Sequence, residues 1–319
     1  MMRPRIIVST PESEYFANRL SKQLGMPQVD IFRNEFAGHE KYRRIQIGER
    51  LGLVGVDVVF VASTHTDEAI DEVCYLGEQI AQNGAHRVIY INPFFGYQTM
   101  EREVLANEVV MGKRVAVRMS HILAGDVRNS FLLLDTHIPT LADMFEGPCL
   151  RKHLYAEPFL AAAAQQLINR GMGKFKIGSA DLSRLKWNKS YARLLGADGV
   201  VAVDKDRDFE TSQVTAVMGE VSGFAIIIYD DMTRSADSLI HAAESYFDNG
   251  AVEVHAVLSH FALDNRKVVE KILDSPIRRF IFTNSHPMSQ IPEINDYPDR
   301  FTCVDVSGVY VDPIQQILN

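Results

Sequence analysis

Cysteine is scarce in this chain of 319 residues, with Cys74, Cys149 and Cys303 its only members. Their odd number and lack of metal-like spacing exclude a disulfide framework and a cysteine zinc site. They read as reduced thiols of a cytoplasmic protein. No apolar run approaches the ~18 residues of a membrane helix. The opening MMRPRIIVST lacks the long apolar stretch of a secretory signal. The expectation is therefore a chain with no membrane partner. G-x-x-x-x-G-K-[ST] and G-x-G-x-x-G are both absent, which removes a Walker phosphate loop and a dinucleotide fingerprint. H-E-x-x-H, C-x-x-C and G-x-S-x-G are missing too, so zincin, redox-pair and nucleophile-elbow chemistry have no carrier. A net charge of −8, with basic residues spread along the chain, excludes a dedicated nucleic-acid surface but leaves room for a local anion site.

What is present is an ordinary globular composition, 46% hydrophobic and 23% charged, long enough for two domains. Buried-strand patterns recur at Arg5–Val8, Asp57–Ala62, Arg87–Ile91, Phe131–Leu134 and Gly199–Val203. They continue at Phe224–Tyr229, Val252–Leu258, Arg279–Thr283 and Phe301–Val304. Helical spacing separates most of them, as in Phe16, Leu20 and Leu24 after the first strand. Strands alternating with helices imply parallel βαβ units and an α/β fold. Gly147-Pro148 marks a boundary, giving domains 1–148 and 149–319. The mixed stretch Ile31–Ile47 reads as short or exposed strands.

Four polar clusters follow strands. Asp135-Thr136-His137 offers an imidazole that can ligate a metal or move a proton, and equally can cap a helix. Gly178-Ser179-Ala180-Asp181 lets a ligand approach the backbone, with Asp181 a cation ligand or simply an N-cap. Asp204-Lys205-Asp206-Arg207-Asp208 is a solvated charge run, or a loop able to close over phosphates. Asp230-Asp231, at the end of the long apolar strand and beside the hydroxyls of Thr233, Ser235 and Ser238, is the hardest to dismiss. Two carboxylates at a buried strand end are costly without hydroxyls, a cation or water.

The order of these clusters resembles ribose-phosphate pyrophosphokinases (PRPP synthetases), a type I phosphoribosyltransferase fold group. The likeness spans nearly the whole chain: STPE at Ser9–Glu12, NPFFGY at Asn92–Tyr97, DTH, SAD, VDKDR at Val203–Arg207 and IIIYDDM at Ile226–Met232. It implies two phosphoribosyltransferase-like domains, each a mainly parallel sheet flanked by helices, the second carrying a ribose-binding loop. It implies that His137 and Asp181 hold a metal, with Mg²⁺ the cofactor. Lys205 and Arg207 would be catalytic, stabilising the transferred diphosphate. Asp230 and Asp231, with Thr233, Ser235 and Ser238, would bind ribose. Phe36, Glu40, Arg102 and His137 would bind the nucleotide, ATP. The implied reaction moves diphosphate from ATP to the C1 hydroxyl of ribose 5-phosphate and releases AMP, in an enzyme that assembles as a homo-oligomer, a dimer or hexamer.

Departures are informative. The family's DDMIDTGGT-type phosphate loop is here Asp230-Asp231-Met232-Thr233-Arg234-Ser235-Ala236-Asp237-Ser238, with both glycines gone. Asp237 places a carboxylate where a phosphate dianion is expected to sit. Thr99 and Met100 replace a nucleotide-holding arginine and glutamine. These changes admit two alternatives. One is the same transfer to an esterified ribosyl phosphate such as ADP-ribose. The other is a non-catalytic regulatory or binding homologue.

Overall fold

β-Branched and aliphatic runs with both faces covered build the two sheets at the centre of this fold. In the computed structural model, residues 3–48, 52–122, 128–207 and 212–319 are described. The chain divides into two compact units, 1–155 with 307–319, and 156–306.

In the first unit, β1 (Arg5–Ser9), β4 (Asp57–Val61), β5 (Arg87–Asn92), β6 (Arg128–Leu134) and β7 (Leu150–Leu154) pair in that order, all parallel. A separate antiparallel hairpin joins β2 (Ile31–Phe36) to β3 (Glu40–Ile45). The helices are α1 (Glu14–Leu24), α2 (Asp67–Gln82), α3 (Met111–Ser120) and the returning α9 (Val311–Leu318). α2 begins where the sequence supplies a cap: Ala69 N donates to Thr66 Oγ1 at 3.1 Å, and Asp67 and Glu68 occupy the first turn.

The second unit orders its strands β10-β9-β8-β11-β12-β13-β14. These are β8 (Phe175–Ser179), β9 (Val200–Arg207), β10 (Ser212–Met218), β11 (Ala225–Thr233), β12 (Glu253–Phe261), β13 (Arg279–Thr283) and β14 (Phe301–Val304). Only the β9/β10 pair is antiparallel. Its helices are α4 (Glu157–Ile168), α5 (Leu185–Leu195), α6 (Asp237–Asp248), α7 (Lys267–Asp274) and the short α8 (Pro292–Asp296). Each unit has its own apolar core, one around Phe60, Tyr90 and Phe131, the other around Ile226, Tyr246 and Phe282.

Three features depart from the sequence expectations. The first unit extends to residue 155 rather than 148, because β7 follows the Gly147-Pro148 turn and pairs with β6. The C-terminal segment belongs to that same unit: Tyr310 Oη donates to Asn92 O at 3.1 Å and Arg5 Nη2 to Leu318 O at 2.7 Å. The charge run after Val203 begins as strand, since β9 continues to Arg207 opposite β10. Polar strand residues lack the apolar signature that made the other strands readable.

Candidate functional site

Strand order places the site. In the second sheet β8 leads to β9 on one side, while β11 leads to β12 on the other. Ligands of open α/β sheets bind in the crevice at such a reversal, beyond the carboxyl ends of the strands. The two central strands pair only as far as Ile228 and Gly178. Beyond that point lie Asp230 and Asp231 on β11, and Asp181 after β8.

Packing holds this edge firmly. A Cβ on Gly178 would lie 2.6 Å from Ile226 Cγ2 and 3.0 Å from the Tyr246 ring, so glycine is required by close approach. Tyr246 Oη donates to Ser179 O at 2.7 Å and accepts from Ser179 N at 3.1 Å. Asn188 Nδ2 donates to Gly178 O at 2.9 Å, tying α5 to the strand end. Tyr191 stacks on Tyr229 with centroids 3.9 Å apart, bracing the residue before the acid pair.

The acids do not stand open. Arg184, at the end of a short 3₁₀ turn, brings Nη2 within 2.5 Å of Asp231 Oδ2 and Nε within 3.7 Å of Asp230 Oδ1. Asp230 Oδ1 also accepts from Asp231 N at 2.9 Å, and Asp231 Oδ1 from Met232 N at 3.0 Å. Burial raises the Asp230 pKa well above the ordinary value, the Asp231 charge adds to the rise, and Arg184 opposes it. Sequence reasoning missed Arg184. The available signal was a basic residue three positions past Asp181.

Downstream, Thr233 is buried, Ser235 is half-buried and Ser238 is exposed in the first turn of α6. Ala236, buried before α6, adopts φ 63 and ψ 0 and has no side chain to cap the helix; Ser235 Oγ accepts from Asp237 N at 3.4 Å. This left-handed turn is natural to glycine and costs another residue about 1–2 kcal/mol. The shape of a glycine loop is therefore kept although the glycines are gone. Asp237 does not project a bare charge. Its carboxylate accepts a hydrogen bond from Lys271 Nζ on α7, which lowers its pKa, as does Ser235. The repulsion expected from the sequence is thus reduced by an exposed ion pair.

In the first unit, Gln98 is fully buried and its Oε1 accepts from His137 N at 2.7 Å. Thr136 N donates to His153 Nε2 at 2.9 Å, and Asp135 N to Leu154 O at 2.9 Å. Asp135 takes φ 38, a strained position that this set of bonds sustains. His137 is half-buried at the end of that turn. Phe36 and Glu40 face each other in register at the hairpin tip, where Phe36 is 53% exposed and packs edge-on to Tyr42. Arg102 is exposed, within 3.7 Å of its neighbour Glu101. The backbones of Lys205 and Arg207 lie on β9; their side chains are outside the described residues, as is the rest of the charge run at 208–210.

Among the described residues no three His, Cys, Asp or Glu side chains converge on a metal cage. Mg²⁺ is often held by one or two carboxylates together with substrate phosphates and water. Asp181, half-buried at the carboxyl edge of β8, suits that role; an imidazole such as His137 is a softer donor.

Known proteins resemble this chain in sequence and fold. A model described as the N-terminal domain of ribose phosphate pyrophosphokinase matches residues 5–122, and one described as a phosphoribosyl synthetase-associated domain matches residues 201–319. The chain is 26% identical over 307 residues to the ribose-phosphate pyrophosphokinase of Streptomyces coelicolor, covering 94% of this chain and 89% of the relative. It is 29% identical over 277 residues to that of Rhizobium meliloti, covering 86% and 83%. The crystal structure of phosphoribosylpyrophosphate synthetase from Mycobacterium smegmatis superposes with a TM-score of 0.84 over 99% of both chains, at 19% identity, a likeness of fold. With matching models at both ends and full-length relatives of one name, the chain belongs to the ribose-phosphate pyrophosphokinase family.

Proposed function

We propose that this chain transfers diphosphate from ATP to the C1 hydroxyl of ribose 5-phosphate and releases AMP. The observation that carries this reading is the acid pair Asp230-Asp231 at the strand reversal, followed by a left-handed turn into α6. Two adjacent carboxylates accept hydrogen bonds from vicinal sugar hydroxyls. A helix N-terminus offers first-turn backbone N–H groups to a phosphate, and here Ser235 Oγ takes only a long bond of 3.4 Å from that of Asp237. The retained αL turn at Ala236 is costly for alanine and serves that presentation.

In this reading Asp230 and Asp231 orient the sugar so that its C1 hydroxyl faces the donor, with Thr233, Ser235 and Ser238 beside the 5-phosphate. Orientation is the larger part of catalysis in phosphoryl-type transfer. Lys205 and Arg207 supply positive charge to the diphosphate as it moves. Phe36, Glu40, Arg102 and His137 take the nucleotide. Mg²⁺, held through Asp181 and phosphate oxygens, would neutralise charge on the phosphates. Assembly of several copies is part of the same proposal, and light scattering on the purified protein measures it.

A second reading is favoured by one feature: a carboxylate, Asp237, stands in the first turn of α6. The exposed Lys271 pair leaves a carboxylate beside the turn, which suits a 5-phosphoryl group carrying one charge better than a dianion. ADP-ribose is such an acceptor. Incubation with ATP, Mg²⁺ and either acceptor, followed by AMP release, separates the readings. AMP with ribose 5-phosphate supports the first and AMP with ADP-ribose alone the second. No AMP with either, where a control synthetase turns over, leaves a non-catalytic homologue.

A further inference from the structure

Asp230 and Asp231 are already engaged. The Arg184 side chain is 10% exposed and those of the two acids 17% and 6%, so the trio is nearly shut off from water. The space left among Arg184, Trp187, Tyr229 and the acids is about 10 Å³, roughly the room of one water. A sugar does not fit in that space while Arg184 stays. Arg184 holds Asp231 Oδ2 and lies beside Asp230 Oδ1, so sugar hydroxyls that reach those oxygens compete with the guanidinium.

Resting on the sugar-binding reading above, we propose that Arg184 determines which sugars the acid pair accepts. It yields the carboxylates only to a ligand that brings hydroxyls for the acids and an anionic group for the arginine. The physical reason is the state left behind. A neutral sugar can satisfy Asp230 and Asp231, but it strands a buried guanidinium without a counter-charge, which is strongly unfavourable. A ribosyl phosphate or diphosphate compensates both sides, because a guanidinium pairs with phosphate through two parallel N–H donors. Arg184 has somewhere to turn. It ends the 3₁₀ turn Leu182–Arg184, one short turn after Asp181. Its guanidinium carbon lies 5.4 Å over the Trp187 ring, a face along which it can slide while remaining paired with π density. Discrimination then comes from a penalty on the wrong ligand rather than an added contact to the right one.

The test is titration calorimetry without ATP, using ribose, ribose 5-phosphate and ADP-ribose against the full chain and Arg184→Ala. The wild type should prefer the phosphorylated sugars over ribose. In Arg184→Ala that preference should shrink by about tenfold or more, equivalent to ~1.4 kcal/mol, with ribose itself binding more tightly. Arg184→Lys, which keeps the charge without the fork, should fall between. If Arg184→Ala does not fold, Arg184→Gln and Arg184→Met carry the same comparison. A purely structural arginine would weaken all three ligands together. Binding with an unchanged preference ratio overturns the proposal while leaving the sugar site intact. Failure of all three ligands to bind any of these proteins overturns the sugar-site reading and this proposal with it.

Discussion

Gly96→Ala puts a single methyl against backbone. A Cβ at Gly96 would lie 1.9 Å from the Thr64 carbonyl oxygen and 3.0 Å from its carbon, where ordinary contact begins near 3.4 Å. Neither partner is a side chain that can swing aside. The loop after β4 and the loop after β5 are zipped together there. Thr64 N donates to Phe94 O at 3.0 Å, and Gly96 N donates to Thr64 Oγ1 at 2.9 Å. Separating the loops by more than 1 Å breaks both bonds, at ~0.5–1.5 kcal/mol each, and forced overpacking adds ~1–3 kcal/mol. The sum is about 4 kcal/mol, or a fall of roughly 8–16 °C in the unfolding temperature of the unit that holds it. Gly48→Ala is the control, because nothing lies within 4 Å of the added carbon. Differential scanning fluorimetry on both variants decides the matter. Gln98, two residues on, positions the His137 backbone, so under the proposed nucleotide role of His137 the KM for ATP should also rise. A Gly96→Ala protein that melts within 1 °C of wild type would refute the close-approach argument.

The remaining predictions concern the second unit. Lys271→Met should change stability by under ~1 kcal/mol, as for an exposed pair, yet raise the KM for ribose 5-phosphate several-fold by unmasking Asp237; adding Asp237→Asn should restore it, and a KM indifferent to both would detach this pair from the phosphate loop. Lys205→Ala should lower kcat by about 10²–10³, the usual size for one donor to transition-state charge, with ribose binding nearly unchanged; a normal kcat would remove it from catalysis. Because the Asp230 pKa is raised in the folded chain, its contribution to stability is full below the ordinary aspartate value and is lost as pH rises toward the folded value. Urea titrations from pH 4 upward should show this slope in the wild type and a flatter one in Asp230→Asn; parallel slopes would mean that Asp230 titrates as an ordinary acid.

The buried strands were legible because a parallel sheet demands continuous apolar runs, and DVVFV, RVIYI and AIIIY are such runs. β7 and β10 escaped notice because their residues are mixed, and edge strands pair through backbone rather than pattern. The acid pair was visible as two carboxylates at a strand end. The loss of the loop glycines was visible too, but its consequence was not: conformation is set by the segments on either side, and Ala236 is held in the αL region by them.

Sequence alone determined the α/β class, the run of clusters and the family they resemble, since these depend on local periodicity and on the order of residues along the chain. Only the tertiary structure decided the state of the acid pair. Arg184 on the connection after β8 meets Asp230 and Asp231 near the end of β11, and Lys271 from α7 meets Asp237 at the head of α6. Both encounters depend on which strands lie side by side at the carboxyl edge, and no local pattern encodes that. Charges that look unbalanced in the sequence are balanced by neighbours that the sheet order brings together.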